Sequence, residues 1–113
     1  MDIETFSLEL GDLEVVLKND VLRYREKWQG IYQKDKIVNG RLSWKTETKA
    51  IWFEGGNWLI GNLEEIGTAF CSMYSYCDVD HKTPLDVPSD KWMYLNVETV
   101  SSGDITLKLI TGK

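Results

Sequence analysis

Five tryptophans, five tyrosines and three phenylalanines stand among 113 residues, in short alternating runs that end at glycines or other turn residues. The pattern is densest in Val38-Asn39-Gly40-Arg41-Leu42-Ser43-Trp44, Ala50-Ile51-Trp52-Phe53 and Asn57-Trp58-Leu59-Ile60-Gly61. Large rings at two-residue spacing fit the half-buried faces of a pleated sheet, and glycines between the runs supply tight reversals. Such a chain is expected to build small antiparallel sheets.

The remaining segments repeat that grammar. Ile3 to Leu10 alternates polar with apolar residues, and Leu13-Glu14-Val15-Val16-Leu17 follows the Gly11-Asp12 break. Val21 to Lys27 is compatible with either a helical turn or a strand, whereas Gly30 to Gln33 is assigned to a strand. Asn39-Gly40 predicts a type I′ hairpin, because that turn needs positive φ at both central residues. Parity places Leu42, Trp44, Ala50 and Trp52 on one set, with Lys45 to Lys49 as an exposed loop. Glu54-Gly55-Gly56-Asn57 predicts a second hairpin. Asn62 to Gly67 reads as a short helical turn with Asn62 as N-cap. Phe70 to Tyr76, Lys91 to Leu95 and Ile105 to Ile110 are expected strands, and Asp78 to Asp90 the longest loop. The expectation is one all-β domain over residues 1–113: a compact antiparallel β-sandwich or small barrel of about 7–9 short strands.

Bulk composition narrows the function. The net charge of -5 argues against nucleic acid and against docking on anionic lipid, both of which attract basic surfaces. No apolar run approaches the roughly 20 residues of a membrane-spanning helix. The start, Met1-Asp2-Ile3-Glu4, has no basic segment leading into an apolar stretch. The expected compartment is cytoplasmic if the chain is complete and extracellular if it is a domain of a secreted mosaic protein. Cys71 and Cys77, on one continuous strand, would lie roughly 20 Å apart, too far for a disulfide without a turn between them.

Gly30-x-Tyr32, Asn39-Gly40-Arg41 with Trp44, Ala50-Ile51-Trp52-Phe53, Trp58-Leu59-Ile60-Gly61 and Trp92-Met93-Tyr94 occur in that order. Their succession resembles a small aromatic-rich β module of invertebrate and protist mosaic proteins. In that module an N-G-[KR] turn leads into an aromatic strand, followed by "IWF"-type, "W-x-I-G" and "W-x-Y" elements. The resemblance runs from about Val15 to Ile110, with Leu42 where the module commonly has proline. It implies a binding or interaction role without enzymatic activity.

The residues themselves offer little chemistry. His81 is the sole histidine, and the acidic loop around Asp78, Asp80 and Asp86 lacks the glycine and spacing of an EF-hand. Cys71 with His81 is a cysteine–histidine pair near in sequence, but a cysteine inside an apolar run is ordinarily inert packing. Glu64 and Glu65 are neighbours, so on a helical turn they diverge by about 100°. Catalytic residues, cofactors and metals are therefore not expected. Trp52 and Trp58 are assigned to the core. Arg41, Trp44, Trp92 and Tyr94 are the candidate binding surface, because aromatic residues and arginine are enriched at hot spots. The expected partner is a protein or a glycan, with homodimerisation through a sheet edge also open. The alternatives are a structural or assembly module and, more remotely, a small hydrolase.

Overall fold

The computed structural model describes residues 11–19, 22–23, 26–75, 82–94 and 105–110, with only the backbone of Asp90 and Tyr94. The expected Ile3–Leu10 strand lies outside the described residues. So do Cys77, His81 and the acidic loop residues Asp78 and Asp80.

Among the described residues, eight antiparallel strands form one nearly closed, barrel-like sheet. They are β1 (Leu13–Leu17), β2 (Gly30–Val38), β3 (Arg41–Lys45), β4 (Lys49–Glu54), β5 (Asn57–Asn62), β6 (Met73–Ser75), β7 (Trp92–Tyr94) and β8 (Ile105–Leu109). The spatial order is β7-β6-β5-β4-β3-β2-β1-β8. Seven strands thus follow one another as a meander, and β8 returns to the far side of β1. The described residues also include four 3-10 turns: η1 (Glu26–Trp28), η2 (Leu63–Glu65), η3 (Pro84–Asp86) and η4 (Ser89–Lys91). β8 packs against η3 and η4, and η4 runs directly into β7. The two ends of the sheet are thereby drawn together, which selects the barrel over the sandwich.

The turns form for the reasons their residues suggest. Asn39 has φ 54° and Gly40 φ 87°; Gly55 and Gly56 have φ 63° and 89°. Both pairs adopt the left-handed region demanded by two-residue hairpins. In β2 the register with β3 shifts between Lys34 and Ile37, so Asp35 and Lys36 together oppose Ser43. Ser43 is fully buried and its hydroxyl donates to the Lys36 carbonyl at 2.6 Å, satisfying a backbone acceptor at the bulge.

One parity expectation is overturned. Trp44 pairs with Ile51 and Lys45 with Ala50. Even-numbered residues of β3 therefore share a face with odd-numbered residues of β4. Leu42 and Trp44 point into the barrel beside Ile51, whereas Ala50 and Trp52 point outward. The turn at Thr46–Thr48 changes the phase, so counting straight through it assigns the wrong face. The expected Phe70–Tyr76 strand is also shorter in its described part, spanning Met73–Ser75. Residues 82–91 hold η3 and η4 rather than a featureless loop.

Two apolar clusters lie on opposite faces. The interior holds Leu13, Val15, Tyr32, Trp44, Ile51, Trp58, Ile60, Met73, Trp92 and Ile105, all at most 1% exposed. The outer cluster centres on Trp52 with Ala50 and Leu59, and Leu63, Ile66 and Cys71 of the segment after β5 pack over it. Trp52 Nε1 donates to the Thr68 carbonyl at 2.9 Å. Gly61 makes room for this arrangement. A β-carbon there would lie 2.7 Å from Trp52 Cη2 and 3.1 Å from Cys71 Cα. Overpacking of a filled core costs about 1–3 kcal/mol. Gly61→Ala is therefore expected to lower the unfolding free energy by about that amount in urea denaturation; an unchanged midpoint would show that the covering segment does not bear on Trp52.

Candidate functional site

Of the candidate residues Arg41, Trp44, Trp92 and Tyr94, two lie inside the barrel. Trp44 and Trp92 are both 0% exposed, which removes them from any direct contact with a partner. The physical reason is size: rings this large contribute most to a small barrel by filling its middle. Trp44 Nε1 donates to the Gly11 carbonyl at 2.9 Å, and its ring lies 6.1 Å from that of Trp58. Phe53 meets Trp58 edge-on at 5.3 Å, and the Arg41 guanidinium sits 4.0 Å above the Phe53 ring. Arg41 is half-buried and thus lies at the end of a packed aromatic row. Trp92 is paired with Ser75, and its Nε1 has no hydrogen-bond partner among the described residues. Tyr94 pairs with Met73 through the backbone, and its side chain lies outside the described residues.

Sequence reasoning missed a groove on the outer face of β2 and β3. Ile31 and Gln33 of β2 and Lys45 of β3 form its floor; Thr46, Glu47 and Leu63 form its walls. Its volume is about 700 Å³, and a second hollow of about 450 Å³, bounded by Glu47, Thr48, Asn62, Leu63 and Glu64, shares Glu47 and Leu63 with it. The signal in the sequence is Ile31: a large aliphatic side chain out of phase with the interior Tyr32 must face outward on a regular strand. It is 56% exposed.

The walls are tied together. Thr46 Oγ1 accepts from the backbone N–H groups of Thr48 and Lys49 at 3.1 and 2.9 Å, which folds the β3–β4 turn around its hydroxyl. The Leu63 N–H donates to the Thr48 carbonyl at 2.8 Å, fastening η2 to that turn. Lys49 Nζ donates to Asn62 Oδ1 at 3.0 Å and lies 4.1 Å from the centre of the half-buried Trp28 ring. Asn62 occupies the expected N-cap position, but its side chain serves Lys49 instead of capping η2. Lys45 Nζ lies 3.6 Å from Asp35 Oδ1.

A smaller hollow of about 280 Å³ lies between Glu54, Asn57, Leu59, Ala69, Cys71 and Tyr74. Cys71 carries a free thiol. Burial, with a smaller contribution from the Glu65 carboxylate, pushes its pKa from the ordinary 9.0 up to about 11. A thiol that stays protonated at neutral pH is a poor nucleophile. Tyr32 is likewise shifted upward by burial, and its hydroxyl donates to the Trp28 carbonyl at 2.7 Å.

Comparison with protein-family models, with curated proteins and with solved structures returns no match. The likeness to the aromatic-rich β module therefore rests on the quoted residues alone.

In a Cys77→Ser chain, alkylation of Cys71 by iodoacetamide is expected to keep accelerating beyond pH 9 and to follow a thiolate titrating near pH 11. A rate already level at pH 9 would mean that the thiol is neither desolvated nor influenced by Glu65.

Proposed function

We propose that this chain is a non-catalytic binding module that engages a protein partner through the groove on the outer face of β2 and β3. The observation that carries the reading is Ile31, an aliphatic side chain 56% exposed on the floor of a groove whose walls are held by hydrogen bonds. Partly apolar concavities with a few fixed polar groups are the usual form of recognition sites.

The packing of the barrel supports the same view. Tyr32, Trp44, Trp58 and Trp92 occupy the interior, so recognition is assigned to the outer surface. A protein is favoured over a glycan because sugar recognition relies on open aromatic faces. Four of the five tryptophans are at most 1% exposed, and the fifth, Trp28, carries Lys49 across its ring. The protonated Cys71 thiol supports a role without nucleophilic chemistry.

The test is a selection of random dodecapeptides displayed on phage against the full chain, in parallel with a glycan array. Enriched peptides are expected to bind Ile31→Asp at least ten-fold more weakly, while its thermal midpoint stays within about 2 °C of the parent, as surface substitutions generally do. Peptides indifferent to Ile31→Asp, or glycan binding abolished by it, would refute the proposal.

A further inference from the structure

The groove is uneven in charge. Lys45 on the groove floor is paired with Asp35 at 3.6 Å. The carboxylates bordering the groove are not matched in this way. Glu47 on the β3–β4 turn and Glu64 on η2 are both exposed and have no ion pair among the described residues. They border the same hollow, together with Leu63. Ile31 and Leu63 supply the apolar surface of the adjoining groove. The chain as a whole carries a net charge of -5.

We infer that the partner segment is a basic and aliphatic peptide, with lysine or arginine side chains directed at Glu47 and Glu64 and aliphatic side chains laid against Ile31 and Leu63. This rests on the groove being the binding surface, and it adds the chemistry of the partner. Charge complementarity decides the sign: an acidic segment, a nucleic acid or an anionic membrane would meet two unmatched carboxylates and an anionic chain. A bare divalent cation is disfavoured, because calcium takes six to eight oxygens and the hollow presents two carboxylates. The two adjoining hollows suit an elongated ligand, whose alternate side chains point the same way about 6.6–6.8 Å apart when extended.

The experiment uses two fluorescein-labelled decapeptides, one repeating lysine-lysine-valine-valine and the other glutamate-glutamate-valine-valine, so that each face of the extended chain carries charged and aliphatic side chains in turn. Binding to the full chain is followed by anisotropy at 50 and 300 mM NaCl. The basic peptide is expected to bind at least ten-fold more tightly than the acidic one, and to weaken as salt rises. Glu47→Gln combined with Glu64→Gln is expected to reduce its affinity at least five-fold. A control of equal charge change away from the groove, Glu54→Gln with Asp86→Asn, is expected to alter it less than two-fold. Equal binding of the two peptides, or equal weakening by both double variants, would overturn the inference. If the basic peptide fails while phage-selected peptides remain dependent on Ile31, the partner chemistry is wrong and the groove still binds. If no peptide depends on Ile31, the groove itself is excluded.

Discussion

Trp44 and Trp58 stand 6.1 Å apart in the middle of the barrel, and most of the remaining architecture answers to that packing. Phe53 closes on Trp58, Arg41 lies over Phe53, and the Trp44 indole reaches out to the Gly11 carbonyl beside β1. Removing a buried ring of this kind costs about 3–5 kcal/mol, a large share of the 5–15 kcal/mol that holds a typical domain folded. Eight short strands enclose a space that side chains can fill, and here aromatic rings fill it. The residues that look most like ligand contacts are consequently committed to holding the strands around a common centre.

That commitment moves attention to the outside of the sheet, where two different things happen. Over β4 and β5, the segment from Leu63 to Cys71 folds back and buries Trp52, with Gly61 left bare so that the ring can lie against the backbone. Over β2 and β3, the same segment contributes only Leu63 to a rim, and Ile31 stays exposed. One connection thus covers one part of the outer face and walls the other. The backbone bond from Leu63 to Thr48 and the Lys49–Asn62 bond join the two regions. Stability of the outer cluster and shape of the groove are therefore coupled through η2.

Much of this was legible in local chemistry. Asn39-Gly40 and Gly55-Gly56 announce hairpins because few other pairs tolerate positive φ at both positions. Leu13–Leu17 is a strand as expected, and the strand expected over Ile105–Ile110 spans Ile105–Leu109. Faces were harder to assign. The phase change across Thr46–Thr48 and the bulge at Asp35-Lys36 each shift side-chain parity, and neither carries a distinctive residue pattern. The site was harder still. Ile31 had a detectable signal in its offset from Tyr32, but Glu47 and Leu63 are ordinary residues that matter only because a turn and η2 bring them together.

By itself the sequence determined an all-β chain, its main hairpins and the burial of Trp52 and Trp58, because these follow from backbone sterics, two-residue periodicity and ring size. Tertiary structure decided that the sheet curls into a barrel, that Trp44 and Trp92 go inside, and that a groove lies over β2 and β3. Those outcomes depend on register, on the return of β8 to β1 and on the path of the segment after β5. Each is a relation between residues distant in the chain, set by which packing fills the interior and satisfies the backbone at once.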